Sequence, residues 1–115
     1  MNSLANKVNL IGRLGNDPEI RTLEDDRKMA RFSIATDEYY RNADGDRVEK
    51  THWHQIVAWG PAAERVEKLL AKGKQIALEG KLVSNSYTDK DGNKRYSTDV
   101  HLQEFLLLER KPVEA

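Results

Sequence analysis

Apolar and polar residues alternate over most of this chain. In "NKVNLIGRLG", Val8, Leu10 and Leu14 fall on one side of an extended backbone with Gly12 among them, while Lys7, Asn9, Ile11 and Arg13 fall on the other. "MARFSIAT" repeats the pattern with Ala30, Phe32, Ile34 and Thr36 against Met29, Arg31, Ser33 and Ala35. "THWHQIVAWG" puts Trp53, Gln55, Val57 and Trp59 on one face and His54, Ile56 and Ala58 on the opposite one. The pattern predicts three strands. Between the second and third, "NADGD" carries an Asp-Gly turn signal and predicts a long-looped hairpin, with Tyr39 and Tyr40 at the start of its loop.

At residue 60 the period changes. "GPAAERVEKLLAKG" has Pro61 in a first helical turn, a stripe of Ala62, Val66, Leu69 and Leu70, and Gly73 in place for a C-terminal cap. It predicts the one helix. "QIALEGKLVSNSYT" and "KRYSTDVHLQEFLLLE" then read as two strands joined at Asp91-Gly92, and Gly80 inside the fourth strand predicts a bend or bulge. Three strands, one helix and two strands in this order predict an all-β OB-fold. That is a five-stranded antiparallel Greek-key barrel with its helix between strands 3 and 4 and a face that binds oligonucleotides or oligosaccharides.

Composition narrows the class. A chain of 115 residues predicts one domain, placed here at residues 1–108 with a short tail at 109–115. No apolar run approaches the roughly 20 residues of a membrane span, and the N-terminus lacks the pattern of a secretory signal, so the expected location is the cytoplasm with no membrane partner. With no cysteine there are no disulfides, no thiolate catalysis and no Cys-based zinc site. Nineteen Lys and Arg against nineteen Asp and Glu leave a formal charge of zero, so net charge does not announce a polyanion partner. Neither a cofactor nor a metal is expected: His52 and His54 share a face, but a lone His-x-His has no accompanying catalytic motif. Asp89, Asp91 and Asp99 are the remaining candidates for a hydrolase, and the first two flank a turn, where solvated Asp is ordinary.

The aromatics point elsewhere. A tryptophan in a strand is ordinarily a core residue, and either ring taken singly reads that way. The count of eight aromatics, several of them tyrosines in polar, loop-proximal surroundings, favours a platform instead. Flat side chains suit a binder of single strands because every base has a π-face, and each stacked base is worth about 1–3 kcal/mol.

"NKVNLIGRLGNDPEIR", "FSIAT", "THWHQIVAWG", "LLAKGKQIALEGKL" and "YTDKDGNKRYSTDV", five blocks in order over about residues 6–103, resemble the bacterial single-stranded DNA-binding proteins. The resemblance implies a non-enzymatic homotetramer (a dimer of dimers) of OB-folds. Such a tetramer binds and protects single-stranded DNA without sequence preference in replication, recombination and repair, and is cytoplasmic and nucleoid-associated. It implies base stacking at Tyr40, Trp53, Trp59 and Tyr87. Tyr stands at 40 and 87 where the family commonly has Trp, and Trp59 replaces a frequent Phe. Phosphate contacts are implied at Lys7, Arg21, Lys72 and Arg95, whereas "LVSNSY" at 82–87 is neutral where the family often carries cations.

A subunit interface is implied at Lys7, Asn9 and His54, with the exposed edge of the first strand pairing between subunits. The chain ends at "ERKPVEA" without the acidic tip that commonly recruits genome-maintenance proteins, which speaks against such recruitment. Neutral charge leaves one competing expectation, an OB-fold module for protein interaction or replication support with weak nucleic-acid binding.

Overall fold

The structure is a computed structural model that describes residues 3–108; the expected tail at 109–115 lies outside the described residues. After a short 3₁₀ helix at Ser3–Ala5, the described residues form six strands and one α-helix in the order β1 (Val8–Leu14), β2 (Glu19–Thr22), β3 (Lys28–Arg41), β4 (Arg47–Trp59), α1 (Pro61–Leu69), β5 (Gln75–Thr88) and β6 (Lys94–Leu107). Five of them close a ring, β1–β5–β6–β4–β3 and back to β1, through the pairing of Arg13 with Ala35 and Leu14 with Ile34. β1, β3 and β4 precede the helix and β5 and β6 follow it, which is the expected OB-fold.

Two features differ from the expectation. β2 is an additional short strand that pairs with β3 from Glu19↔Arg31 to Thr22↔Lys28, and its four residues are too few to show alternation. The barrel is also not antiparallel throughout: β4 and β6 meet in parallel at Ile56↔Val100 and Val57↔His101. A closed ring of five strands cannot alternate direction all the way round, so with the other four pairs antiparallel the fifth, β4–β6, must be parallel.

The predicted alternation sorts the side chains. Phe32, Ile34, Ile56, Ile76 and Val66 are fully buried, with Leu14, Ala30, Ala58, Leu78, Val100, Leu102 and Phe105 around them. Each large side chain so buried contributes about 1.5–3 kcal/mol. The helix closes one end of the barrel with Ala63 and Val66, and Lys28 Nζ donates to Glu67 Oε1 at 2.7 Å to tie it to β3.

Pro61 opens this helix as expected. Its end does not match, because Leu70 caps it in extended conformation, and Gly73 with φ +90° instead serves the following turn by donating to Leu14 O. Leu69, counted in the apolar stripe, is the last residue of the helix and 47% exposed, whereas Leu70, in the extended cap, is buried in the core.

Both hairpin tips use one device. Asn42 Oδ1 accepts from the backbone N–H groups of Asp44 and Asp46, and Asp89 Oδ1 accepts from those of Asp91 and Asn93. Gly45 and Gly92 supply the positive φ that this five-residue loop requires. The bend expected at Gly80 is present: pairing passes from Glu79↔Glu104 to Gly80↔Leu102 and leaves Gln103 as an extra residue on β6. A side chain at residue 80 would meet the carbonyl oxygen of His101, so only glycine lets the two backbones approach there.

Candidate nucleic-acid interface

The β3–β4 ladder runs from Met29↔Trp59 to Arg41↔Arg47 with no shift of register. Side-chain parity is therefore kept along its whole length. Ile34, Ile56 and Ala58 point into the barrel, so Trp53 and Trp59 point outward, as the platform reading requires. Trp53 is 60% exposed and Trp59 37%, the latter partly covered by the Arg27 guanidinium 5.3 Å from its ring centre. Val57, between them in sequence, is buried although it shares their side.

Tyr39 and Tyr40 belong to β3 rather than to a loop, because the hairpin extends well beyond the barrel. As neighbours in a strand they face opposite ways. Tyr39 shares the outer side with Trp53 and Trp59, whereas Tyr40, paired with Val48, lies on the other side together with His52 and His54. Tyr87, 55% exposed and paired with Arg95, lies on the outer side of β5, the side that β6 continues to β4 through the match of Val57 with His101. Trp53, Trp59 and Tyr87 thus all point outward from their strands, the two tryptophans on one face of β4, and Tyr40 lies across the β3–β4 hairpin from that face.

The cations are set beside these rings. Register aligns Arg21, Met29 and Trp59 in one row across β2, β3 and β4, and Arg95 adjoins Tyr87. Lys72 sits in the turn after the helix, where its backbone N–H donates to Asp17 Oδ1 at 2.9 Å, beside the loop that carries Gly15 and Asn16. That loop is held to β3 by Gly15 N to Ser33 O at 3.0 Å and by Ser33 Oγ to Asn16 Oδ1 at 2.8 Å. Lys7 stands apart and pairs with Glu79 at 2.7 Å on the β1–β5 side.

Three of the four expected phosphate cations hold carboxylates: Lys7 with Glu79, Arg21 with Glu19 at 2.9 Å and Arg95 with Asp89 at 2.9 Å. The Arg95 guanidinium holds the Asp89 carboxyl below its ordinary range, helped by the N–H of Asn93. Exposed pairs of this kind are weak and can exchange for a phosphate. Arg31 and Arg13 also point outward by the same parity: Arg31 stands between the rows of the two tryptophans, and Arg13 is level with Trp53 through Ala35.

Lys7 and Asn9 lie in the β1–β5 sector, where Asn9 pairs with Glu79, and His54 lies on β4. His54 Nε2 and Thr36 Oγ1 are 3.0 Å apart in a cross-strand hydrogen bond, and His52 Nε2 and Glu38 Oε2 are 3.1 Å apart. Partial burial, and next the neighbouring His52, push the His54 imidazole below its ordinary value. Among the described residues no three His, Cys, Asp or Glu gather as metal ligands. Of the hydrolase candidates, Asp89 and Asp91 belong to the hairpin turn and Asp99 lies on β6 opposite Val83.

A further surface lies in the β1–β5–β6 sector. Ile11, Ala77 and Leu106 form one row across the three strands, with Ile11 60% and Leu106 65% exposed, and a groove of ≈ 640 Å³ runs over them between Asn9, Glu79 and Glu104. In the ring order β5 lies opposite the β3–β4 pair, so this apolar row and the aromatic face occupy different sides of the barrel.

Residues 5–108 match the model of the "Single-strand binding protein family". The chain is 45% identical over 107 residues to "Single-stranded DNA-binding protein 1" of Xylella fastidiosa (strain 9a5c), covering 92% of this chain and 79% of that one. It is 41% identical to the protein of the same name from Chlorobaculum tepidum, covering 92% of this chain and 66% of the relative, so it spans about two thirds of that relative's length. Among solved structures it resembles "Plasmodium falciparum SSB complex with ssDNA" with a TM-score of 0.85 at 30% identity, over 90% of this chain and 95% of that one. Barrel topology and sequence agree over the same stretch, and the chain belongs to the single-strand binding protein family.

Proposed function

We propose that this chain binds and protects single-stranded DNA without regard to sequence, in the replication, recombination and repair settings where such strands arise. It is a binding protein and not an enzyme. The observation that carries the reading is the direction of Trp53 and Trp59: two indoles on one unbroken ladder, both outside the core. Bases stack on Trp53, Trp59 and Tyr87, and Tyr40 serves a strand that passes over the other side of the hairpin. Arg21, Lys72 and Arg95 contact phosphates beside these rings, and Lys7 does so after giving up Glu79.

The working form is a homotetramer, a dimer of dimers in the cytoplasm. Two features support it: the exposed Ile11–Ala77–Leu106 row, and the Val8–Gly12 edge of β1, since the described pairing of β1 with β3 covers only Arg13 and Leu14. Lys7, Asn9 and His54 are the interface residues this assembly uses. The DNA-binding domain ends near residue 108.

Carboxylates on Lys7, Arg21 and Arg95, with a formal charge of zero, favour a second reading: a protein-interaction module with weak nucleic-acid binding. Gel shifts with oligo-dT at low and high salt separate the two. Tight binding at low salt that weakens as salt rises supports DNA binding, and no shift at low salt leaves only the second reading.

A further inference from the structure

We propose that Tyr39, backed by the guanidinium of Arg47, is an additional base-stacking seat that extends the track of Trp53 and Trp59 to the tip of the β3–β4 hairpin. The inference rests on the DNA reading above. Because the ladder keeps its register from Met29↔Trp59 to Arg41↔Arg47, Tyr39 is fixed on the side of the two tryptophans and Tyr40 on the other. Tyr39 lies four residues beyond Ala35, the cross-strand partner of Trp53, which is about 13 Å along the strand at ~3.3 Å per residue. Trp59 lies about 20 Å from Trp53 in the opposite direction by the same rise. The three rings therefore form one line, with Trp53 in the middle.

Arg47 Cζ stands 4.5 Å from the centroid of the Tyr39 ring, yet the residue is 52% exposed, which leaves the phenol accessible to a flat ligand. The guanidinium sets the ring's orientation and places a fixed positive charge where the phosphate next to a stacked base would run. Trp59 at the other end has the same construction with Arg27 at 5.3 Å. Charges around the tip define a polarity: Glu49 is the cross-strand partner of Tyr39 and Asp37 lies one step toward the barrel, bonded by Thr51 Oγ1, whereas Arg41 and Arg47 stand at the tip. Phosphates are therefore drawn to the arginine side, and the base is left to lean on the ring.

The test is affinity for a fluorescent oligo-dT, measured by anisotropy, for the wild type and Tyr39→Ala, Tyr39→Phe, Arg47→Ala and Trp53→Ala, together with photocrosslinking to an oligonucleotide carrying 5-iodouracil. Tyr39→Ala is expected to weaken binding about tenfold and Tyr39→Phe to leave it unchanged, as stacking on a ring requires. Arg47→Ala is expected to fall between and to lower the log–log salt slope by about 0.7. Wild-type protein is expected to crosslink at Tyr39. Tyr39→Ala within twofold of wild type while Trp53→Ala is weakened, or crosslinks at Trp53 and none at Tyr39, overturns the seat and leaves DNA binding standing. No binding by wild type, or full binding by Trp53→Ala, overturns the DNA reading itself.

Discussion

Trp53 rests on Gly15: a β-carbon on residue 15 would lie 2.8 Å from Cη2 of the indole and nearer still to Cζ3. Gly15 cannot retreat, because its N–H donates to Ser33 O. The ring, 60% exposed, must give way instead. Gly15→Ala is expected to shift the tryptophan emission and weaken oligo-dT binding several-fold while moving the melting temperature little. Unchanged affinity with a large loss of stability would show that the ring does not depend on this seat.

How far the site was legible in the sequence depended on parity. Alternation put Trp53 and Trp59 on one face of their strand and Ile56 and Ala58 on the other without saying which was the core; the number of aromatics favoured an outward platform, and the burial of Ile56 and Ala58 decides it. What alternation could not show was where the strands stop. Tyr39 and Tyr40 read as loop because "EYYRN" is polar, yet β3 runs to Arg41, since a hairpin that leaves the barrel needs no buried face. Only the ladder distinguishes one tyrosine from the other. β2 and the parallel β4–β6 contact escaped for related reasons, one being too short to alternate and the other a product of ring closure between segments more than 40 residues apart.

Carboxylates restrain the cations beside the rings. Asp89 accepts from Arg95 Nε at 2.9 Å and also shapes the hairpin turn, so Asp89→Asn keeps the turn acceptor and removes the charge. Glu19→Gln does the same for Arg21. Each is expected to tighten oligo-dT binding about two- to fivefold at low salt, the range of an exposed ion pair. Weaker binding in either variant would mean that these arginines do not face the phosphates.

Acid should loosen the fold before the carboxylates titrate. His54 is held below its ordinary value of 6.5 by burial first and by His52 second, and His101 is lowered by burial, opposed by Asp99 and aided by Lys81. A depressed histidine favours the folded state above its unfolded value, and that contribution is lost as pH falls below 6.5 through the lower folded value. Thermal melts from pH 8 to pH 5 are expected to be flat above about 7 and to fall below 6.5, with a smaller fall in His54→Gln. A melting temperature that holds or rises on acidification contradicts this.

Ile11 and Leu106 are 60% and 65% exposed in one row with Ala77, and a second subunit is the proposed cover. Ile11→Glu and Leu106→Glu are expected to lower the assembly mass seen by light scattering below that of a tetramer. The face opposite remains intact, so both variants should still bind a short oligo-dT. A wild-type mass of one chain, or variants that keep the full assembly, would remove this row from the interface.

The central claim is that the two indoles meet nucleobases, and intrinsic fluorescence reports on both of them directly. Titrating the protein with oligo-dT at low salt should quench most of the tryptophan emission, and added salt should reverse it with a log–log slope of about 0.7 per neutralised phosphate. Emission that stays constant while oligo-dT is in excess would contradict the claim.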